Sequence, residues 1–297
     1  MPSELKRVSQ TGIRSTFVGI LFSGVLVAIK GIAGIVGHSY ALVADAIESA
    51  TDIFTSLVVY SGLRIAALPP DEDHPYGHGK AEPLAATAVA IALYTAAAGI
   101  AIQCVREIHT PHHAPAPFTL PVLVLVVLAK EGLFRWVHRV GDSVDSTAVR
   151  ADAWHHRSDA LTSAAAFIGI SIALVGGEGY QAADDWAALV ASGIICYNAT
   201  KLLKTSLAEI MDAAPPAEIE KGVREVALKV PGVLNLDTCM VRKMGLTFYV
   251  DLHVVVNGDL PVRDGHRIAH RVKDAIRSGN PRISDVLIHV EPDKFSD

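Results

Sequence analysis

His155 and Asp159 stand four residues apart in the stretch Ala151-Asp152-Ala153-Trp154-His155-His156-Arg157-Ser158-Asp159. On a helix that spacing projects both side chains from one face. Glu48 and Asp52 repeat it in another apolar segment far upstream. Three carboxylates and one imidazole are ligand chemistry, and ionisable groups at membrane depth mark function by default. Small residues flank both pairs (Ala44, Ala46, Ala50; Ala151, Ala153, Ala160), which lets two helices approach closely. The four residues read as a divalent-cation site between packed helices, and the bland alternative is a hydrogen-bonded polar contact. No basic residue stands among the four, although Arg157 is near in sequence, so a bound cation is expected to supply the balancing charge. Metal binding needs a neutral imidazole and ionised carboxylates, so protons and metal compete for one site. A site opening alternately to either face would then exchange metal for protons, with His155 a main proton acceptor.

Two further groups have ligand chemistry. Asp71, His74 and His78 lie close together in a loop where Gly77 and Gly79 permit a tight backbone. The alternative is a solvated acidic loop. His253, His266, His270, His289 and Glu291, with Asp237, form a scattered set near the C-terminus that fits a regulatory metal site or ordinary surface histidines. Lys130 and Glu131 are expected to pair with neighbouring helices, and Lys30 to pair likewise or snorkel to the interface. His109, His112 and His113 sit in a Pro-broken exposed loop that reads as an ordinary solvated one, the alternative being that it gathers exported metal.

These residues need a bilayer-spanning scaffold, and the composition provides one. Of 297 residues, 51% are hydrophobic and only 19% charged, below the roughly 25% charged residues of a soluble domain. The excess crowds the first two-thirds. A helical span takes about 20 apolar residues, and six segments qualify: 11–34, 40–66, 83–107, 118–140, 151–175 and 184–207. The first follows a short polar stretch with no small-residue cleavage site, so an uncleaved helix is expected. A polar link, 141–150, joins the fourth span to the fifth. Lys6, Arg7, Arg14, Arg64, Lys80, Arg135, Arg139, Arg150, Lys201 and Lys204 gather on one side, which places both termini in the cytoplasm. The three cysteines show no metal or disulfide spacing, and no basic tract suits nucleic acid.

The chain after residue 212 has a soluble rhythm. Helices are expected over 215–229 and 261–278, and strands over 233–242, 247–256 and 285–290. The order α-β-β-α-β predicts a small two-layer α+β domain. The chain thus divides into a transport domain, 1–212, and a cytoplasmic domain, 213–297.

Three segments together resemble the cation diffusion facilitator family: His38-Ser39-Tyr40-Ala41-Leu42-Val43-Ala44-Asp45-Ala46, His74-Pro75-Tyr76-Gly77-His78-Gly79-Lys80-Ala81-Glu82, and 151–159. Within it the chain is most similar to the bacterial ferrous-iron and zinc efflux branch. The resemblance covers essentially the whole chain. It implies a homodimeric metal–proton antiporter whose ferredoxin-like (metallochaperone-like) C-terminal domain dimerises and senses cytoplasmic metal. The family's transport site falls on Glu48, Asp52, His155 and Asp159, and its loop site on Asp71, His74 and His78. The cytoplasmic site falls on His253, His266, His289 and Glu291, with Asp237 where a histidine is frequent. Lys80 and Asp212 match a pair that interlocks two protomers. Glu48 stands where aspartate or histidine is usual, which makes the site richer in oxygen. Oxygen-rich sites suit manganese better, although zinc outbinds manganese at most sites.

The expectation is an α-helical inner (plasma) membrane protein with six transmembrane helices. It exports zinc or iron(II) first, with manganese, cobalt, nickel or cadmium as alternative cargo and no organic cofactor. Protons are its counter-substrate; membrane lipid surrounds it, and nucleic acid is no partner. The rival on the same fold is a non-transporting metal sensor or assembly partner. A membrane-embedded zinc hydrolase would show His-Glu-x-x-His; here His155-His156-Arg157-Ser158-Asp159 stands with no base or nucleophile beside it, so an enzyme is not expected.

Overall fold

The computed structural model describes residues 3–36, 49, 53, 56–108, 119–176 and 183–293. They form two compact bodies, one of residues 10–66 and 81–207, the other of 67–80 and the chain from Ala208 onward, with its first nine residues.

The first body is helical, built from α2 (Ser56–Ala66), α3 (Ala81–Ile108), α4 (Thr119–Val144) and α5 (Thr147–Gly176), with α1 (Ser3–Val36) from residue 10 and α6 (Ala183–Ile210) as far as residue 207. Its polarity is inverted relative to a water-soluble bundle. Leu21, Val25 and Ile29 of α1, Ile91 and Ile102 of α3, and Leu125 and Leu128 of α4 face outward, while Ser15, Thr16, Asp152 and His156 are buried. Exposed apolar area on that scale needs an apolar surround, which a bilayer provides. Among the described helices, Gln10–Ile29 and Ala81–Arg106 are long and apolar enough to cross it by length and composition. α4 and α5 carry more charge, including Lys130, Asp152 and Asp159.

Small residues set the spacing inside this body. A Cβ at Gly62 of α2 would overlap the Ala85 methyl of α3 and stand 3.1 Å from the Ala81 carbonyl oxygen. The core between the helices is Val59, Leu63, Val89, Leu93, Leu133, Val137 and Val149 with several alanines.

The polar link expected over 141–150 is almost wholly helical. α4 continues to Val144 and α5 begins at Thr147, leaving Asp145 and Ser146 as the connection. Three local features explain this. Asp145 takes a left-handed backbone, φ 50, which aspartate tolerates. Ser146 caps α5, its Oγ accepting from the Val149 N–H at 3.1 Å. Arg150 donates to Asp145 at 3.2 Å and packs against Gly141, where a Cβ would stand 3.0 Å from its Cγ.

The second body follows the expected α-β-β-α-β order: α7 (Ala217–Leu228), β1 (Asn235–Met244), β2 (Thr247–Val256), α8 (Val262–Gly279) and β3 (Ile283–Pro292). β2 is central, antiparallel to β1 and parallel to β3. Gly245, at φ 63, opens the two-residue hairpin loop, where a positive φ is needed. The alternation of β2 buries Phe248, Val250, Leu252, Val254 and Val256 against Val223 and Ala227 of α7 and Ile268, Val272 and Ile276 of α8. Tyr249, Asp251, His253 and Val255 are left on the other face.

Candidate metal centres

His155 and Asp159 lie on one face of α5, His155 buried and Asp159 nearly so. Glu48 and Asp52 lie outside the described residues, as do His109, His112 and His113. The expectation that no basic residue stands among the four is corrected at Asp159. Lys130 of α4, fully buried, donates from Nζ to Asp159 Oδ2 at 2.7 Å. Its pairing with a neighbouring helix is as expected; its choice of partner was not. Arg157 turns elsewhere, its guanidinium stacked 4.5 Å from the Phe134 ring centre and 5.2 Å from that of Trp154. Two turns nearer the start of α5, Asp152 accepts from Ser56 Oγ of α2 at 2.6 Å, and the His156 Nε2 is 3.9 Å from its other oxygen. Gly19 of α1 leaves room for both, since a Cβ there would stand 3.2 Å from His156 Nε2.

The loop of the second body gathers Asp71, His74 and His78, each offering a ligand atom within 4.8 Å of the others. His74-Pro75-Tyr76-Gly77 is a β-turn closed by the Gly77 N–H on the His74 carbonyl at 2.8 Å. Pro suits its second position, and Gly77 takes φ 83. The turn brings the His74 N–H to Asp71 Oδ1 at 2.7 Å and His78 Nε2 to Oδ2 at 3.3 Å. That backbone N–H holds the Asp71 carboxyl below the ordinary carboxylate value, with the two imidazoles adding to it. The turn is tied to β2, where Tyr249 donates to the Tyr76 carbonyl at 3.1 Å. At the end of α6, Lys80 Nζ meets Asp212 Oδ1 at 2.5 Å and the Glu209 carbonyl at 2.7 Å, an ammonium placed on a helix C-terminus.

On the helix-free face of the sheet, Asp237, His253 and Glu291 bring one ligand atom each within 4.8 Å of one another. The pairing of β1 with β2 skips from Leu236 to Cys239, so Asp237 lies in a bulge beside His253. Bulges re-aim side chains in this way. His253 Nδ1 is 2.7 Å from Glu291 Oε1, and His289, the register partner of His253, is 4.0 Å from the same oxygen. His266 is paired with His270 instead, Nε2 to Nε2 at 3.1 Å, on the exposed side of α8. Burial raises the nearby Cys239 thiol to about 11.

Residues 16–211 match the family described as cation efflux transmembrane domain, and 215–293 the one described as cation efflux protein, cytoplasmic domain. The chain belongs to the cation efflux family. The manganese efflux system protein MneP of Bacillus subtilis is 30% identical over 98% of this chain and 99% of its own. The cation-efflux pump FieF of Cronobacter sakazakii is 30% identical over 96% and 93%. Metal tolerance protein C1 of Arabidopsis thaliana is 34% identical over 89% of this chain, which spans 59% of that protein's length. The cation efflux protein is accordingly a membrane transporter of divalent metal cations and not an enzyme, with a cytoplasmic domain of the family's dimerising type.

Proposed function

We propose that this protein exports zinc or iron(II) from the cytoplasm in exchange for protons. It works as a homodimer in the inner (plasma) membrane with six spans and both termini cytoplasmic. Residues 1–212 form the transport domain and 213–297 the cytoplasmic domain. Glu48, Asp52, His155 and Asp159 ligate the cargo, and His155 takes up a proton when it leaves. The observation that carries the reading is a shared His155–Asp159 face on α5, His155 buried and Asp159 largely so, inside a bundle whose large apolar side chains point outward. Asp71, His74 and His78 hold a loop ion. Asp237, His253 and Glu291, with His289 beside them, hold a cytoplasmic ion that reports metal level, and His266 with His270 offers a further two-nitrogen seat. Lys80 and Asp212 stiffen the point where two protomers interlock.

Manganese is the second reading. Three carboxylates against one imidazole favour an oxygen-preferring ion, and a relative named for manganese efflux is similar over nearly its whole length. Flux in proteoliposomes under an imposed pH gradient tests both, with zinc, iron(II), manganese, cobalt, nickel and cadmium compared in wild type and Asp159→Ala. Proton-coupled flux of one or two metals, lost in the variant, is the expected result. Flux without any pH dependence refutes antiport. Binding without flux of any metal turns the protein into a membrane metal sensor.

A further inference from the structure

Lys130 of α4 is a fully buried charged group beside the transport helix that the proposed metal ligation does not use. Its ammonium lies 2.7 Å from Asp159 Oδ2 and is wholly enclosed between α4 and α5. A divalent ion on that carboxylate sits about 2.0–2.2 Å from its oxygen, hence within about 5 Å of the ammonium. Two positive centres that close, on one carboxylate and in low-dielectric surroundings, exclude each other.

We infer that Lys130 is a tethered internal competitor for the cargo site: its ammonium occupies Asp159 until a cation strong enough to displace it arrives. The inference rests on Asp159 being a cargo ligand, as proposed above. It makes Lys130 a specificity-determining residue. Magnesium surrenders its water reluctantly and binds carboxylates weakly unless several converge, so it fails to displace the ammonium. Zinc, iron(II) and manganese, which take the imidazole of His155 as well, succeed. Lysine suits the task better than arginine. Its charge is compact and its four-carbon stem can withdraw, whereas a guanidinium would grip the carboxylate through two hydrogen bonds.

The opposite role is also chemically reasonable: Lys130 could fix one carboxylate oxygen so that the other faces the ion. The two roles predict opposite signs. In proteoliposomes of the full-length protein, zinc and manganese uptake is measured for wild type, Lys130→Met, Lys130→Gln, Lys130→Arg and Asp159→Ala. Competition requires Lys130→Met and Lys130→Gln to lower the half-saturating metal concentration by about tenfold or more. Millimolar magnesium, harmless to wild type, should then inhibit. Lys130→Arg should stay at or above the wild-type value. If the neutral variants raise the half-saturating concentration while Asp159→Ala abolishes uptake, the competitor is refuted and the orienting role stands; if they leave it unchanged, the competitor is refuted as well and Lys130 plays neither role. If Asp159→Ala transports like wild type, the cargo-site reading fails and takes this inference with it. Two neutral variants are used because either alone could impair folding, which size-exclusion profiles of the purified proteins check.

Discussion

Gly62→Ala should separate α2 from α3 and weaken transport, although Gly62 touches no ligand. The added methyl would overlap that of Ala85 and stand 3.1 Å from the Ala81 carbonyl oxygen. Carbon–carbon contacts settle at about 3.5–4.0 Å, so the helices must part by about an ångström. Overpacking of that kind costs about 1–3 kcal/mol, offset by the roughly 1 kcal/mol that alanine gains over glycine inside a helix. Gly99→Ala, on α3 with nothing within 4 Å of its would-be Cβ, keeps only the gain. The difference between the two variants therefore isolates the clash. α2 also carries Ser56, the hydrogen-bond partner of Asp152 on α5, so displacing it disturbs the helix that presents His155 and Asp159. Misplacing functional groups by an ångström can cost up to about 10²-fold in rate. Apparent melting temperature in detergent and metal flux in proteoliposomes would be read for each variant. Gly62→Ala should fall below wild type in both, and Gly99→Ala in neither. Adding Ala85→Gly to Gly62→Ala should restore part of each loss, because the interaction between touching sites is worth about 0.5–3 kcal/mol. Equal behaviour of Gly62→Ala and Gly99→Ala, or no rescue by Ala85→Gly, would refute the close-packing argument.

Ser56→Ala removes the donor to a wholly buried carboxylate and should destabilise the helical body by about 1.5–3 kcal/mol, read as a lower melting temperature; a shift of nil would mean that the bond matters little. Glu291→Gln replaces the carboxylate that lies between His253 and His289 with a neutral amide, and loss of the charged ligand should weaken nickel or zinc binding at the sheet by at least the roughly 10–100-fold typical of supporting partners; calorimetry showing wild-type affinity would exclude the Glu291 carboxylate from the site. Asp71 has its folded-state pKa depressed from 3.8 by the His74 N–H, so the turn keeps this contribution at every pH above about 4 and loses it only as pH falls further. The His74 amide shift, followed by NMR with chelator present, should titrate with a midpoint under 3.8, and a midpoint above it would show that the contact is not held in solution.

Much of this architecture is legible in the residues alone, because it is local. The i, i+4 spacing of His155 and Asp159 dictates a common face before any tertiary contact exists. Period-two alternation marks β2, and the strict turn His74-Pro75-Tyr76-Gly77 gathers the loop ligands within a few residues. What escapes such reading is set by packing between distant segments. Lys130 lies 29 residues before Asp159, and Ser56 lies 96 before Asp152. Neither partnership has a spacing rule; both depend on which faces α2, α4 and α5 turn to one another. The segment 141–150 misleads for a different reason: its charged and polar residues resemble a loop, yet Ser146 serves as a cap and Asp142, Asp145 and Arg150 brace one another across the corner. His266 is a similar case. Its composition fits the sheet cluster, but its place on α8 gives it His270 as a neighbour.

Asp145 and Ser146 are the whole connection between α4 and α5, and that brevity constrains how a carrier can work. The corner has no slack: one residue is already left-handed, the next is spent on capping, and an arginine clamps both sides. The Val144 end of α4 and the Thr147 end of α5 are thereby held together at this corner, and a transport cycle of the kind proposed above has to move these two ends as one piece.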